Sequence, residues 1–341
     1  MRLRYYLLLG VLGLGIAGYV GYWFFAADQV RGGIDAWAAE HRARGLEIAY
    51  GEPQISGFPW RLIVEIDDPS IAMPLHPAQP RWSAPRIAAV AQPWNFRQVL
   101  IDLAGAHDIG FTQRGTRREM SLAVPEGRAG YVADPAGQMQ RLSIDLTQPT
   151  LEEPATGLKA QAARVQLHLR PGQSPDVNLE LASSAEQLSA QGLGPMPFGQ
   201  VIDKLALESK LRGVIDGPSP DAALAAWRDA GGTVDIDRLL LLWGDLQLET
   251  SGTLALDEAL RPLGALTARM TGQNAVIDLA VAKGQMSTGA GSAAKAALGV
   301  LAAAGGGVLS VPVRMQDGAL FIGPAKVARL SPVFPDAGRN R

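Results

Sequence analysis

The chain has 341 residues, a net charge of -2, no cysteine and four histidines. The absence of cysteine excludes a disulfide framework, a thiolate metal site and a cysteine nucleophile. The balanced charge gives no overall attraction to nucleic acid, so we expect no nucleic-acid partner.

The amino-terminal segment predicts a membrane anchor. Arg2 and Arg4 precede an apolar run over residues 5–25, and Asp28 is the first charged residue after it. About 20 apolar residues cross the hydrocarbon core of a bilayer as a helix. A cleaved signal peptide, the alternative, has a shorter apolar core and ends in small residues, whereas residues 23–25 are Trp-Phe-Phe.

We therefore expect an uncleaved signal anchor at residues 5–25, crossing a bacterial inner membrane once. The two arginines would hold residues 1–4 in the cytoplasm, and the bulk of the chain would lie in the periplasm. Tyr22 and Trp23 are expected in the aromatic belt at the outer interface. The inner membrane, contacted through residues 5–25, is the partner that this segment predicts.

Two further regions follow the anchor. Residues 26–45 predict a juxtamembrane helix that ends at Gly45, and residues 46–330 predict a β-rich domain. Apolar and polar residues alternate in short runs separated by turn residues, as at positions 62–66, 99–103, 120–124, 142–146, 165–169 and 177–181. The predicted fold class is therefore α+β and β-rich: a long antiparallel meander sheet with a few packing helices, preceded by one transmembrane helix.

Three helices interrupt the later strands, at residues 219–231, 274–282 and 292–304. The first has Ser219 as a helix cap, and the region near residues 213–232 is a candidate boundary between two similar β halves. A last hairpin joins residues 308–315 to residues 319–322, and the tail over residues 331–341 is expected to be loose.

Two apolar stretches each allow a structural and a functional interpretation. Phe58-Pro59-Trp60 precedes an alternating run, and we favour an aromatic-lined strand start over a ligand loop, because proline suits the start or the edge of a strand. Residues 239–243, Leu-Leu-Leu-Leu-Trp, are apolar on both faces of a strand. Here we favour a covering helix, such as 219–231 or 292–304, over an apolar groove.

The sequence predicts no catalytic residue, cofactor-binding residue, cofactor or metal ligand, and we expect no enzyme. Residues 289–294 match G-x-G-x-x-A, but no strand is predicted before them, so a flexible start to a helix is the better interpretation. Ser287 lacks the spacing of a nucleophile elbow. Asp235 and Asp237 share a strand face, but no calcium-binding loop surrounds them.

Three segments resemble an uncharacterised bacterial envelope family, domain of unknown function 2125. They are Ser56-Gly57-Phe58-Pro59-Trp60-Arg61-Leu62, residues 252–272 and residues 316–324. The resemblance spans nearly the whole chain and implies an envelope protein with an amino-terminal membrane segment, and it supplies no catalytic residues. Residues 252–272 also resemble segments of AsmA-like envelope proteins, which are built from repetitive β-sheet and linked to lipid transport.

These observations lead to three hypotheses of function. The first is a non-enzymatic envelope protein that holds a lipid or another apolar chain against a curved sheet. The second is a structural or partner-binding module that docks on envelope proteins through exposed strand edges. The third, a periplasmic hydrolase, needs a histidine, a serine and an acid within hydrogen-bond reach in a cleft.

Overall fold

The computed structural model describes residues 2–113, 115–192, 198–217, 220–282, 284, 286–304, 306–323 and 325–333. The predicted cap at Ser219 and residues 334–341 of the predicted tail lie outside the described residues. The described chain is β-rich, with antiparallel strands, four helices and a long apolar helix at its amino end, which confirms the predicted fold class. It divides into two compact units, Met1–Gln138 with Leu151–Ala155 and Met139–Thr150 with Thr156–Arg341.

The first unit consists of one helix followed by short and medium strands. In chain order they are α1 (Arg2–Ala43), β1 (Glu47–Ala49), β2 (Gln54–Ser56), β3 (Leu62–Asp67), β4 (Ser70–Ala72), β5 (Arg81–Ser83), β6 (Arg86–Gln92), β7 (Asn95–Asp102), β8 (Gly105–Gln113), β9 (Thr116–Val124) and β10 (Glu126–Ala133). These strands form two antiparallel ladders. The order is β2-β3-β6-β7-β10 in one ladder and β1-β4-β5-β8-β9 in the other.

The rest of the chain contains longer strands and three helices. In chain order they are β11 (Met139–Thr147), β12 (Thr150–Glu153), β13 (Leu158–Gln161), β14 (Arg164–Pro171), β15 (Leu179–Gln191), β16 (Val201–Arg212), α2 (Pro220–Asp229), β17 (Thr233–Trp243), β18 (Leu246–Leu256), β19 (Pro262–Thr271), α3 (Gln273–Ala282), α4 (Thr288–Ala304), β20 (Leu309–Gln316), β21 (Ala319–Ile322) and β22 (Ala325–Arg329). The strand β12 pairs with β9. The predicted helices at residues 219–231, 274–282 and 292–304 thus correspond to α2, α3 and α4.

The second unit is organised around one antiparallel ladder. Its order is β11-β14-β15-β16-β17-β18-β19-β20-β21-β22, and β13 pairs with the far end of β15. From β14 onward each strand pairs with the next strand along the chain, which is the predicted meander. The two units meet in sequence between residues 138 and 156, and α2 lies within the second unit.

The helix α1 is continuous over 42 residues, so the predicted anchor and the predicted juxtamembrane helix belong to one element. It ends where Gly45 adopts a φ of 89° and the amide of Leu46 donates to the carbonyl of His41 at 3.1 Å. With a mean hydropathy of 1.7 in its most apolar 18-residue window, α1 is long and apolar enough to cross a membrane. Its side chains are exposed from Arg4 to Gly18 and begin to pack at Tyr19.

The core of the first unit lies where α1 packs on the ladder that contains β3. Trp23 is 4% exposed and Leu62 is 1% exposed, and they form a buried cluster with Ala26 and Ala27. The indole of Trp23 donates a hydrogen bond to the carbonyl of Arg61 at 3.0 Å. Trp23 is therefore a core residue of the folded unit, and its expected place in the aromatic belt at the outer interface stays a prediction.

Candidate apolar binding face

The register of the second unit gathers apolar side chains on one face of its sheet. Residues directly opposite each other in antiparallel neighbours point to the same side. Across β11, β14, β15, β16, β17 and β18 this gives a central row of Ile144, Leu167, Ser183, Leu207, Leu239 and Thr250. The rows on either side are Leu146, Val165, Ala185, Leu205, Leu241 and Leu248, and Leu142, Leu169, Leu181, Ser209, Ile236 and Gly252. These three rows, which are apolar except at Ser183, Ser209, Thr250 and Gly252, are the apolar face.

The opposite face of the same strands carries charges that pair across neighbouring strands. The distances between paired nitrogen and oxygen atoms are 2.6 Å for Arg170 with Glu180, 2.6 Å for Arg212 with Asp235, 2.9 Å for Arg238 with Glu249 and 3.1 Å for Lys204 with Glu186. Arg164 also pairs with Asp145. This polar face suits contact with water, because such exposed pairs need no desolvation.

Three guanidinium groups of the polar face stabilise the ionised form of their partners. Arg164 donates to Asp145 and lowers the pKa of that carboxyl. The pKa of Glu180 is lowered by Arg170, and the pKa of Asp235 is lowered by Arg212. These three carboxylates are therefore held in the ionised state at neutral pH.

A β-bulge in β17 keeps the two faces distinct. Ile236 and Leu239 are three residues apart, yet they oppose Ser209 and Leu207, which are two residues apart in β16. The extra residue lets Asp237 pair with Lys210 at 2.9 Å while its neighbour Arg238 pairs with Glu249. Strict alternation would have placed one of these two charges on the apolar face.

The bulge also explains the apolar stretch at residues 239–243. Leu239 and Leu241 belong to the apolar face, whereas Leu240 and Leu242 lie on the polar face opposite Ala206 and Lys204. All of these leucines are half-buried. The stretch is thus one strand that contributes to both faces of the sheet.

Contacts of α2, α3 and α4 with the sheet involve β16, β18 and β20. The indole of Trp227 in α2 donates to the carbonyl of Arg212 at 2.7 Å, at the opposite end of β16 from Leu205. The helix α3 contacts β18, and α4 contacts β20, where Leu309 is buried. The expected cover of residues 239–243 by a helix such as α2 or α4 stays a prediction. Leu205, opposite Leu241, is 36% exposed.

The glycine-rich stretch at residues 289–294 is part of α4 and follows a helix instead of a strand. Ser287 caps α4, because its hydroxyl accepts a hydrogen bond from the amide of Ala290 at 3.2 Å. A Cβ atom at Gly291 would lie 2.6 Å from a methyl group of Val281, so the glycine allows α3 and α4 to approach closely. The motif thus lies inside α4 instead of before it, and its second glycine has a packing role.

Among the described residues, no group of three or more histidine, aspartate or glutamate side chains is placed so that it could hold a metal ion. A cavity of about 570 Å³ in the second unit is lined by His168, Ser209 and Asp237, among others. His168 lies opposite Ala182 and Ser209 lies opposite Leu181, so the two side chains point to opposite faces of the sheet. They cannot act together as a base and a nucleophile.

The first unit has a larger cavity of about 910 Å³, bordered by β1, β4, β5, β8 and β9. Its rim contains Arg81, which approaches Glu119 at 2.8 Å. Arg117 donates to the same carboxylate and lowers the pKa of Glu119. Arg81 and Glu119 at the rim are thus paired with each other.

The loop that contains Phe58-Pro59-Trp60 packs against α1. The ring of Phe58 lies edge-on to Trp23, with centroids 5.6 Å apart, and stacks on Phe24 at 6.3 Å. Sequence reasoning predicted a strand start here, and β3 does begin at Leu62. It missed the contact with α1, because nothing local in the sequence shows which distant helix a loop will meet.

Comparison with known proteins places the chain among bacterial proteins. No curated protein and no solved structure matches it. A model of the family described as "Uncharacterized protein conserved in bacteria" (DUF2125) matches residues 23–331. The matched region begins at Trp23, where α1 enters the core of the first unit, and it covers all of the described strands. The chain therefore belongs to the DUF2125 family of uncharacterised bacterial proteins.

Proposed function

We propose that this protein is a non-enzymatic, single-pass protein of the bacterial inner membrane that holds a lipid or another apolar chain in the periplasm. In this proposal, α1 is the anchor and the apolar face of the second unit is the binding surface. The length and hydropathy of α1 support the anchor. Three aligned apolar rows support the binding surface.

The separation of the two faces carries the proposal. Six strands about 4.8 Å apart give the apolar face a width of about 24 Å. Each methylene of a chain that is buried there contributes about 0.8 kcal/mol, so ten methylenes would contribute about 8 kcal/mol before ordering costs. A lipid is the apolar molecule most available to a chain anchored in a membrane.

Two adjacent residues of β16 provide a matched test of lipid binding. Leu205 lies on the apolar face and Ala206 on the polar face. The full chain, Leu205→Asp and Ala206→Asp would each be purified from membranes in a mild detergent, and lipid per mole of protein would be measured by mass spectrometry. Lipid bound around α1 is common to all three proteins and can be subtracted.

We expect Leu205→Asp to lose retained lipid by at least about tenfold, which corresponds to about 1.4 kcal/mol. Ala206→Asp should retain as much as the parent chain, since an aspartate there faces water. Equal lipid in the two variants, or co-purification of a protein in place of lipid, would overturn the proposed ligand.

The proposed compartment has its own test. Because the chain has no cysteine, Leu75→Cys introduces a unique thiol at a side chain that is 84% exposed. We expect a membrane-impermeant maleimide to label it in spheroplasts. Labelling that requires lysis of the spheroplasts would place the domain in the cytoplasm instead.

A further inference from the structure

We infer that the end of the first unit beside α1 is seated in the outer interface of the bilayer, with Phe58, Trp60 and Trp94 inserted among the lipids. The inference rests on the membrane anchor proposed above. The segments concerned are residues 57–61, between β2 and β3, and residues 92–95, around the turn between β6 and β7.

Three hydrogen bonds hold these two loops beside the apolar segment of α1. In each, a side chain of α1 donates to a backbone carbonyl of a loop: Tyr19 to Pro59 at 2.5 Å, Tyr22 to Pro93 at 2.6 Å and Trp23 to Arg61 at 3.0 Å. All three donors lie within residues 5–25, the run that is expected to cross the membrane. The loops are thus attached to the spanning segment itself, not to the helix beyond it.

The length of the apolar run sets the depth of the loops. Residues 5–25 rise about 31 Å at 1.5 Å per residue, which matches a hydrocarbon core of about 30 Å. Residues 5–18, which precede the first loop contact, rise only about 21 Å. If the loops stood clear of the bilayer, only residues 5–18 could cross it, and they would fall about 9 Å short of the thickness of the hydrocarbon core. The loops therefore reach the outer boundary of the core.

The side chains at the loop tips have the chemistry of that boundary. Within the folded chain Trp60 is 70% exposed, Trp94 is 57% exposed and Phe58 is 49% exposed. Phe24 and Phe25, on the adjacent part of α1, are each 61% exposed. Tryptophan is enriched at membrane interfaces, where its ring is buried among lipids and its N–H remains near polar groups. In water, the same cluster would be a large exposed apolar patch.

The other end of α1 supplies a control position in the same unit. Leu75 is 84% exposed and lies against Gly45, with one of its methyl carbons 2.9 Å from where a Cβ of Gly45 would be. Gly45 follows Phe25 by 20 residues, and α1 continues to Ala43, so this position is about 30 Å beyond the membrane boundary. A label at Leu75 should remain in water.

The absence of cysteine allows a direct depth measurement. Trp60→Cys, Trp94→Cys, Leu75→Cys and Leu14→Cys would each be made in the full chain, spin-labelled and reconstituted in phosphatidylethanolamine–phosphatidylglycerol vesicles. All four side chains are exposed in the folded chain, so the labels disturb no core packing. Collision with oxygen, which concentrates in lipid, is compared with collision with a water-soluble nickel chelate.

For labels at positions 60 and 94, we expect the ratio of collisions with oxygen to collisions with nickel to be several-fold higher than at position 75. The ratio should be highest at position 14. Nickel access at positions 60 and 94 equal to that at position 75, with position 14 in lipid, would overturn the inference and leave the anchor intact. Nickel access at position 14 would overturn the anchor itself. Labels at positions 60 and 94 shielded from both reagents would mean that protein covers the loops, which also overturns the inference.

Discussion

Gly252 in β18 illustrates how one residue without a side chain maintains the sheet. Its φ is 149°, and a Cβ atom there would lie 2.3 Å from the carbonyl oxygen of Ala265 in β19. We expect Gly252→Ala to lower the free energy of unfolding by about 2–3 kcal/mol, because it adds a clash to an unfavourable backbone conformation. Thermal unfolding of the full chain in detergent measures the change.

Gly130 in β10 provides the matched control for Gly252. A Cβ atom at Gly130 would meet nothing within 4 Å, and its φ is not positive. Gly130→Ala should leave stability unchanged or raise it by up to about 1 kcal/mol. Equal melting temperatures for the two variants would show that the close approach of β18 and β19 has no energetic consequence.

The ion pairs of the polar face predict a pH dependence of stability. The pKa of Asp145 is lowered by Arg164, so the folded state binds its proton less readily than the unfolded state does. The contribution of the pair is complete above the unfolded pKa of about 3.9 and is lost as the pH falls through the folded value. We expect the melting temperature to stay level from pH 7 to about pH 5 and to fall below about pH 4.

The matching variant for that pH profile is Asp145→Asn. It removes the ionisable group, so its melting temperature should decline less steeply in acid than that of the parent chain. The melting temperature could instead begin to decline between pH 7 and pH 6, equally in the parent chain and in Asp145→Asn. That result would mean that histidine, and not these carboxylates, causes the acid sensitivity.

Among the elements, α1 links the proposed anchor to the fold. Trp23 fills the core against Leu62, so Trp23→Ala leaves a cavity and removes the donor to the carbonyl of Arg61. We expect a loss of about 3–5 kcal/mol in unfolding free energy. The control is Trp37→Ala, whose side chain is 45% exposed and should cost less than about 1 kcal/mol. Similar losses in both variants would mean that α1 is not part of the core.

The strands show what local sequence can predict. Val165, Leu167 and Leu169 alternate with polar residues, and they form β14 with its apolar residues on one face. The division of residues 239–243 between the two faces was not predictable in the same way. It depends on the bulge in β17, which is set by pairing between distant segments. The burial of Trp23 likewise depends on β3, which is remote in sequence.

At the scale of the whole molecule, two features connect the fold to the proposed function. One end of the first unit is attached to the apolar run of α1 through three hydrogen bonds. The second unit separates an apolar face from a charged one across its meander sheet. Sequence alternation indicated the apolar residues of each strand, but only the register aligns them into continuous rows.

Photocrosslinking in living cells tests the central claim, that the apolar face holds an apolar chain. A benzophenone amino acid would be placed at position 205 on the apolar face or at position 206 on the polar face, in the full chain at native levels. We predict that ultraviolet light produces a lipid adduct, identified by mass spectrometry, at position 205 and not at position 206. No lipid adduct at position 205, or equal adducts at both positions, would contradict the account.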